Sequence, residues 1–288
     1  GKEPLALPEP RIGARWDQFP EFVDAMPKLD AVFSAHDQEI LEKAGGVPMA
    51  KRCRFLLDAG GDLEKARLGI VEYALWREAW QVDKFSVLDF KPFFEAAKIV
   101  VVKTAENKHV LFMYGHFEPY PEIHMCLTGI CYIMDYIENL DPEVVHPHLS
   151  IVMDLKRMQL SDYNPRVEKG SMQLCQKNYP ELFTLSGHLA HIIYTPLAFR
   201  VMMKMAAPWM PKEYLTAMTI TKGGFIPQHI CPSELVPEQY YGPHKITCGD
   251  TFRALMAEEG LAPDAKPGPC PLPPRVVRTF MGEGVRTE

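Results

Sequence analysis

Histidine can ligate a metal or move a proton near neutral pH, so its groupings come first. Three stand out in the chain. His116, Glu118, Glu122 and His124 lie together in GHFEPYPEIH, His146 and His148 flank a proline, and His188 and His191 stand three apart. A metal site at His146 and His148 needs a third ligand and outer partners that fix it, and the prolines within GHFEPYPEIH preset no known ligand spacing. Surface or packing roles are expected for all three. The chain also lacks a Gly-x-Ser-x-Gly elbow, a phosphate loop, and a Gly-x-Gly-x-x-Gly turn after a strand. No catalytic residue, metal site or cofactor is therefore assigned, and an enzyme is not expected.

Residues 149–221 carry the clearest organisation, reading as strand, helix, strand, helix, strand. The runs 149–155, 189–195 and 217–221 are β-prone, with helices at 166–179 and 197–205 between them. Pro180 stops the first helix and Pro196 opens the second. Such alternation predicts right-handed crossovers and a mainly parallel sheet. In 149–155 one parity is Leu149, Ile151, Met153 and Leu155, and the other is Ser150, Val152 and Asp154. In 189–195, Ala190, Ile192 and Tyr194 oppose Leu189, His191, Ile193 and Thr195. Small and hydroxyl groups mixed with aliphatic ones fit a sheet that floors a pocket for acyl chains. A filled core is the other reading that this alternation leaves open.

The helix after Pro196 places Leu197, Val201, Met202 and Met205 on one apolar side, with Phe199 and Met203 beside it. Arg200 and Lys204 take the polar side. Pro208 and Pro211 follow and mark a hinge. Methionine and aromatic side chains suit a surface that moulds to a flexible apolar ligand.

Upstream, residues 1–15 read as an extended arm. A stripe at 16–29 is broken by Pro20 and Pro27. Ser34 with Asp37 caps a helix over 35–44 that Gly45-Gly46 ends. A helix pair follows at 49–57 and 62–80, with Trp76 and Trp80 on one side. Two strands, 99–103 and 109–114, are joined through a turn at Asn107. A long apolar helix spans 121–140, and another helix is expected over 250–259. Residues 262–274 hold six prolines and read as an extended strap.

The formal net charge of −6 argues against a nucleic-acid partner. Seven irregularly spaced cysteines fit reduced thiols and a cytoplasmic setting. No apolar run approaches the ~20 residues that cross a bilayer.

The segments IVMDLKRMQLS (151–161), QKNYPELF (176–183), HIIYTPLAFRVMMKMAAPWMP (191–211) and ELVPEQYYGP (234–243) resemble the CRAL-TRIO lipid-binding family, and occur in that family's order. Residues 51–80 are similar to the helical domain that precedes the lipid lobe there. The resemblance implies an α/β fold: a lobe with a mixed, mainly parallel sheet as floor and a gating helix, preceded by a small all-helical domain. The implied segments are 1–84 for the arm and helical domain, 85–248 for the lobe, and 249–288 for a C-terminal helix and tail.

It also implies a function. The chain would be a carrier that extracts one phospholipid, of the phosphatidylinositol or phosphatidylcholine class, at a transient membrane surface. Glu181, after the Tyr-Pro pair, Ser161 in Gln-Leu-Ser, and Tyr136 would meet the headgroup; an aromatic face attracts a quaternary ammonium. Phe112, Met153, Ile193, Phe199, Met202, Met203, Trp209, Met218 and Ile220 would line the acyl-chain pocket. Ala217 falls where inositol-binding members carry lysine, so an inositol-phosphate contact would need another residue, such as Lys212 or Lys222. A sterol-like, isoprenoid or haem ligand remains an alternative. So does a protein-interaction module docking through the proline-rich tail 262–274.

Overall fold

The computed structural model describes residues 3–10, 13–104, 108–116, 123–147, 149–162, 164–179, 190–210, 215 and 218–266. Asn107, His148, Pro180, Glu181, Lys212, Ala217 and the tail beyond residue 266 lie outside the described residues, as does the side chain of Trp209. The chain forms two compact units. The first comprises residues 1–83, 133–148 and 173–186, and the second 84–132, 149–172 and 187–288.

The first unit is helical. Its helices are α1 (Pro20–Asp30), α2 (Ala35–Lys43), α3 (Met49–Asp58) and α4 (Leu63–Trp80). Pro20 does not break the stripe but starts α1, where its fixed φ and missing N–H cost nothing; Pro27 lies inside that helix. Ser34 and Asp37 form a reciprocal capping box on α2. Gly61 (φ +82°) is required twice over: its φ is left-handed, and a Cβ there would sit 2.1 Å from the Leu5 carbonyl oxygen. The close approach lets the Leu5 N–H donate to the Gly61 carbonyl at 3.0 Å, which pins the N-terminal arm.

Beside its apolar core this unit buries a charged network. Glu138 accepts from Lys51 Nζ at 2.6 Å and Arg54 Nη1 at 2.8 Å, and both cations are only 2% exposed. Arg54 also donates to the carbonyls of Val144 and Val145 at 2.7 Å each. The Lys51 ammonium lies 4.5 Å from the Tyr179 ring centroid and 4.9 Å from that of Tyr73.

The second unit is α/β. Its sheet contains β1 (Val100–Lys103), β2 (His109–Tyr114), β3 (Leu149–Asp154), β4 (Ala190–Ile193) and β5 (Met218–Ile220), in that spatial order. β1 pairs antiparallel with β2, and all other pairings are parallel. Around it are α5 (Lys91–Ala97), α6 (Ile123–Asn139), α7 (Pro165–Asn178), α8 (Leu197–Ala206) and α9 (Cys248–Glu258). The last turns of α6 and α7 belong to the first unit. The predicted fold class, a mainly parallel sheet with a helix over it preceded by helices, is what the chain adopts.

α9 is tied into the second unit at several points. Phe252 packs edge-on to Phe94 at 5.9 Å, and the Thr251 hydroxyl accepts the Val101 N–H at 3.2 Å. Just past its end, the Glu259 carboxylate accepts from the Val87 N–H at 3.0 Å, the Ser86 hydroxyl at 2.7 Å and the Tyr132 hydroxyl at 2.6 Å. Glu259→Ala leaves these donors without that acceptor. A loss of about 1–3 kcal/mol is expected in urea denaturation; an unchanged midpoint would show that water replaces the carboxylate without penalty.

Candidate functional site

Register decides which side chains share a face of the sheet. Met113 stands beside Met153, Met153 beside Ile192, and Ile192 beside Ile220. One step back, Leu111, Ile151, Ala190 and Met218 form a second row on the same face. Met113, Ile151, Met153 and Met218 are half-buried, and Ile220 is exposed. The face is therefore apolar but incompletely covered within its unit, as a pocket floor must be.

α8 supplies apolar cover above part of this floor. Phe199 joins a buried cluster with Leu155 and Ile192, against which Met153, Met158, Met203 and Met218 pack. Phe199, Met202 and Ala206 form the buried side of the helix. The expected single stripe is corrected here. Leu197, Val201 and Met205 are 76%, 40% and 53% exposed, so they face outward with Arg200 and Lys204. The helix is apolar around most of its circumference, and spacing alone does not separate an inner stripe from an outer one.

The opposite face of the sheet is filled. Val100, Val102, Val110, Phe112, Val152 and Ile193 are buried there with Ile230, Cys231, Val236 and Tyr240. At the carboxyl ends of the parallel strands lies a polar rim. Asp154 accepts the Lys156 N–H at 2.7 Å and the Tyr241 hydroxyl at 3.1 Å. The Lys156 ammonium stands 5.2 Å and 4.9 Å from the ring centroids of Tyr194 and Tyr241. Tyr114 donates to the Gln239 carbonyl at 3.1 Å. Burial, followed by the Asp154 carboxylate, pushes the Tyr114 phenol above its ordinary value and keeps it a donor. His116 Nδ1 lies 2.8 Å from an Asp162 oxygen, and the Gln159 N–H donates to the same oxygen at 2.6 Å. His191 Nε2 lies 2.8 Å from the Phe225 carbonyl. Among the described residues, no three His, Cys, Asp or Glu side chains gather as a metal ion would require.

The expected acyl-chain residues thus divide. Met153, Phe199, Met203 and Met218 come together, Met202 is buried on the same helix, and Ile220 lies on the same sheet face. Phe112 and Ile193 do not join them. Both are 0% exposed in the core of the other face, because Met153 pairs with Ile192 and not with Ile193. Among the polar candidates, Ser161 is exposed in the turn Leu160–Asp162 of the second unit. Tyr136 is half-buried on the stretch of α6 that belongs to the first unit. Ile151, Leu155 and Ile192, named in the strand alternation but not among the expected lining residues, lie with Met153, Phe199 and Met218. So do Met113 and Met158, which the sequence reading did not single out. The signal that would have found them is the strand register, which aligns Met113, Met153 and Ile192.

No curated protein matches the chain. Among solved structures, the crystal structure of Sfh5 is similar, with a TM-score of 0.49 and 14% identity over 61% of this chain and 65% of that one. The match thus spans under two thirds of that structure's length. Residues 108–242, which hold most of the floor and all of α8, match the family model of the CRAL/TRIO domain.

Proposed function

We propose that the chain carries one phospholipid, without transforming it, on the methionine-lined floor beneath α8. It would take up and release this ligand at a membrane surface. The observation that carries this reading is that α8 is apolar on two sides. Phe199 and Met202 turn inward, while Leu197, Val201 and Met205 stand in solvent. A structural helix gains nothing from an apolar outer stripe. A helix that opens against a bilayer does, because lipid then covers both sides. Arg200 and Lys204 beside the stripe favour an anionic surface, at about 1 kcal/mol each.

Shielding acyl methylenes from water supplies ~0.8 kcal/mol per CH2, ample for retention. Thioethers adapt to chains of differing length. Of the proposed headgroup contacts, Ser161 is exposed and free to reach a polar group. The preference between phosphatidylinositol and phosphatidylcholine, and a cytoplasmic, peripherally membrane-bound setting, belong to this proposal.

The double substitution Met202→Trp, Met203→Trp is expected to fill the space under α8. It should lower vesicle-to-vesicle transfer of fluorescent phospholipid at least tenfold, while overpacking costs about 1–3 kcal/mol of stability. Unchanged transfer by a folded double variant would mean that the ligand lies elsewhere. Native mass spectrometry of the purified chain identifies the ligand: a phospholipid mass supports the proposal, whereas a sterol, isoprenoid or haem mass replaces it.

A further inference from the structure

The helical unit holds a cleft of its own, about 260 Å³, whose lining includes Lys51 and Arg54 of α3, Arg77 of α4, and the acids Asp83, Asp135 and Glu138. Arg77 divides its guanidinium between two surroundings. Nη1 donates inward, to the Tyr73 hydroxyl at 2.9 Å and to Asp135 at 2.6 Å. Asp135 is fixed in turn by the Tyr179 hydroxyl at 2.8 Å. Nη2 donates to Asp83. The two carboxylates differ in burial: the Asp135 side chain is 13% exposed and that of Asp83 is 61% exposed, against 12% for Arg77 itself.

The inner half of the fork is therefore locked, and the outer half is held by a carboxylate that solvent can reach. A planar fork with one fixed side is preorganised for a second oxyanion. Displacing Asp83 is cheap, because a solvated acid regains its hydration. Lys51 and Arg54 on the same wall share the carboxylate of Glu138, which balances one of their two charges.

We propose that this cleft is a binding site for a small oxyanion of the phosphate class, for which the Asp83 carboxylate is the built-in stand-in at Arg77. The anion exchanges with Asp83 and leaves the Arg77–Asp135 pair intact. Two sources share this chemistry, a free phosphate and the phosphomonoester headgroup of a lipid.

The test compares the wild type with Asp83→Asn, a change at an exposed side chain that removes the competitor and spares the buried pair. Inorganic phosphate is titrated against chloride at matched ionic strength, with melting temperature as readout. In parallel, binding is measured to phosphatidylcholine vesicles with and without phosphatidic acid. Saturable stabilisation by phosphate is expected in the wild type, with an apparent affinity about two- to fivefold tighter in Asp83→Asn. If that gain appears only with phosphatidic acid vesicles, the anion is a lipid headgroup. Equal response of both proteins in every arm, or no response beyond that to chloride, would overturn the proposal.

Discussion

Glu138→Ala is expected to destabilise the helical unit by about 3–5 kcal/mol, the usual consequence of removing one partner from a buried ion pair. Glu138 is the acceptor shared by Lys51 and Arg54, and both are 98% buried by their 2% exposure. Leaving two cations in a low-dielectric interior without that carboxylate outweighs the rest of the local balance. The aromatic faces of Tyr73 and Tyr179 recover part of the loss for Lys51, at about 0.5–2 kcal/mol. Arg54 keeps its bonds to the Val144 and Val145 carbonyls, which are neutral acceptors and do not replace the carboxylate. Glu138→Gln keeps an acceptor oxygen and should cost less. Urea denaturation followed by tryptophan fluorescence reports on this unit, since Trp76 and Trp80 lie in it. Equal midpoints for wild type and Glu138→Ala would mean that the network relaxes or takes in water.

The second large effect concerns membrane contact. Replacing Leu197, Val201 and Met205 together by glutamine is expected to cut transfer between vesicles by on the order of a hundredfold. The estimate follows from exposures of 76%, 40% and 53% and about 2 kcal/mol for each side chain fully transferred to an apolar phase. Glutamine is a good helix former, and the three residues already face water, so the fold should survive. Circular dichroism and ligand retention serve as controls. Full transfer activity in the triple variant would place membrane contact on another surface.

Much of the architecture could be read from local chemistry. Ser34 with Asp37 announced the start of α2, and the β-prone runs gave all five strands within a residue or two of their ends. The sheet faces were harder. A strand has a period of two, so a pairing shifted by one residue exchanges its sides. Nothing local in HIIYT says whether Ile192 or Ile193 lies beside Met153; the parallel register with β3 does. That is why Phe112 and Ile193 were assigned to a pocket and lie instead in solid core. α8 posed the same difficulty in helical form, because with apolar residues nearly all round, only the sheet beneath it distinguishes Phe199 from Leu197. The return of residues 133–148 and 173–186 to the helical unit is a long-range event that periodicity along the chain does not encode.

The bond from Thr251 to Val101 bears on how the chain can be dissected. β1 is an outermost strand, and one of its donors is capped by a helix more than a hundred residues further on. An excised segment cut at 108 and 242 would lose both β1 and α9, baring the β2 rim as a ready template for a neighbouring copy. Such a fragment would self-associate, and its failure to stay monomeric would reflect a missing hem, not a poorly chosen core.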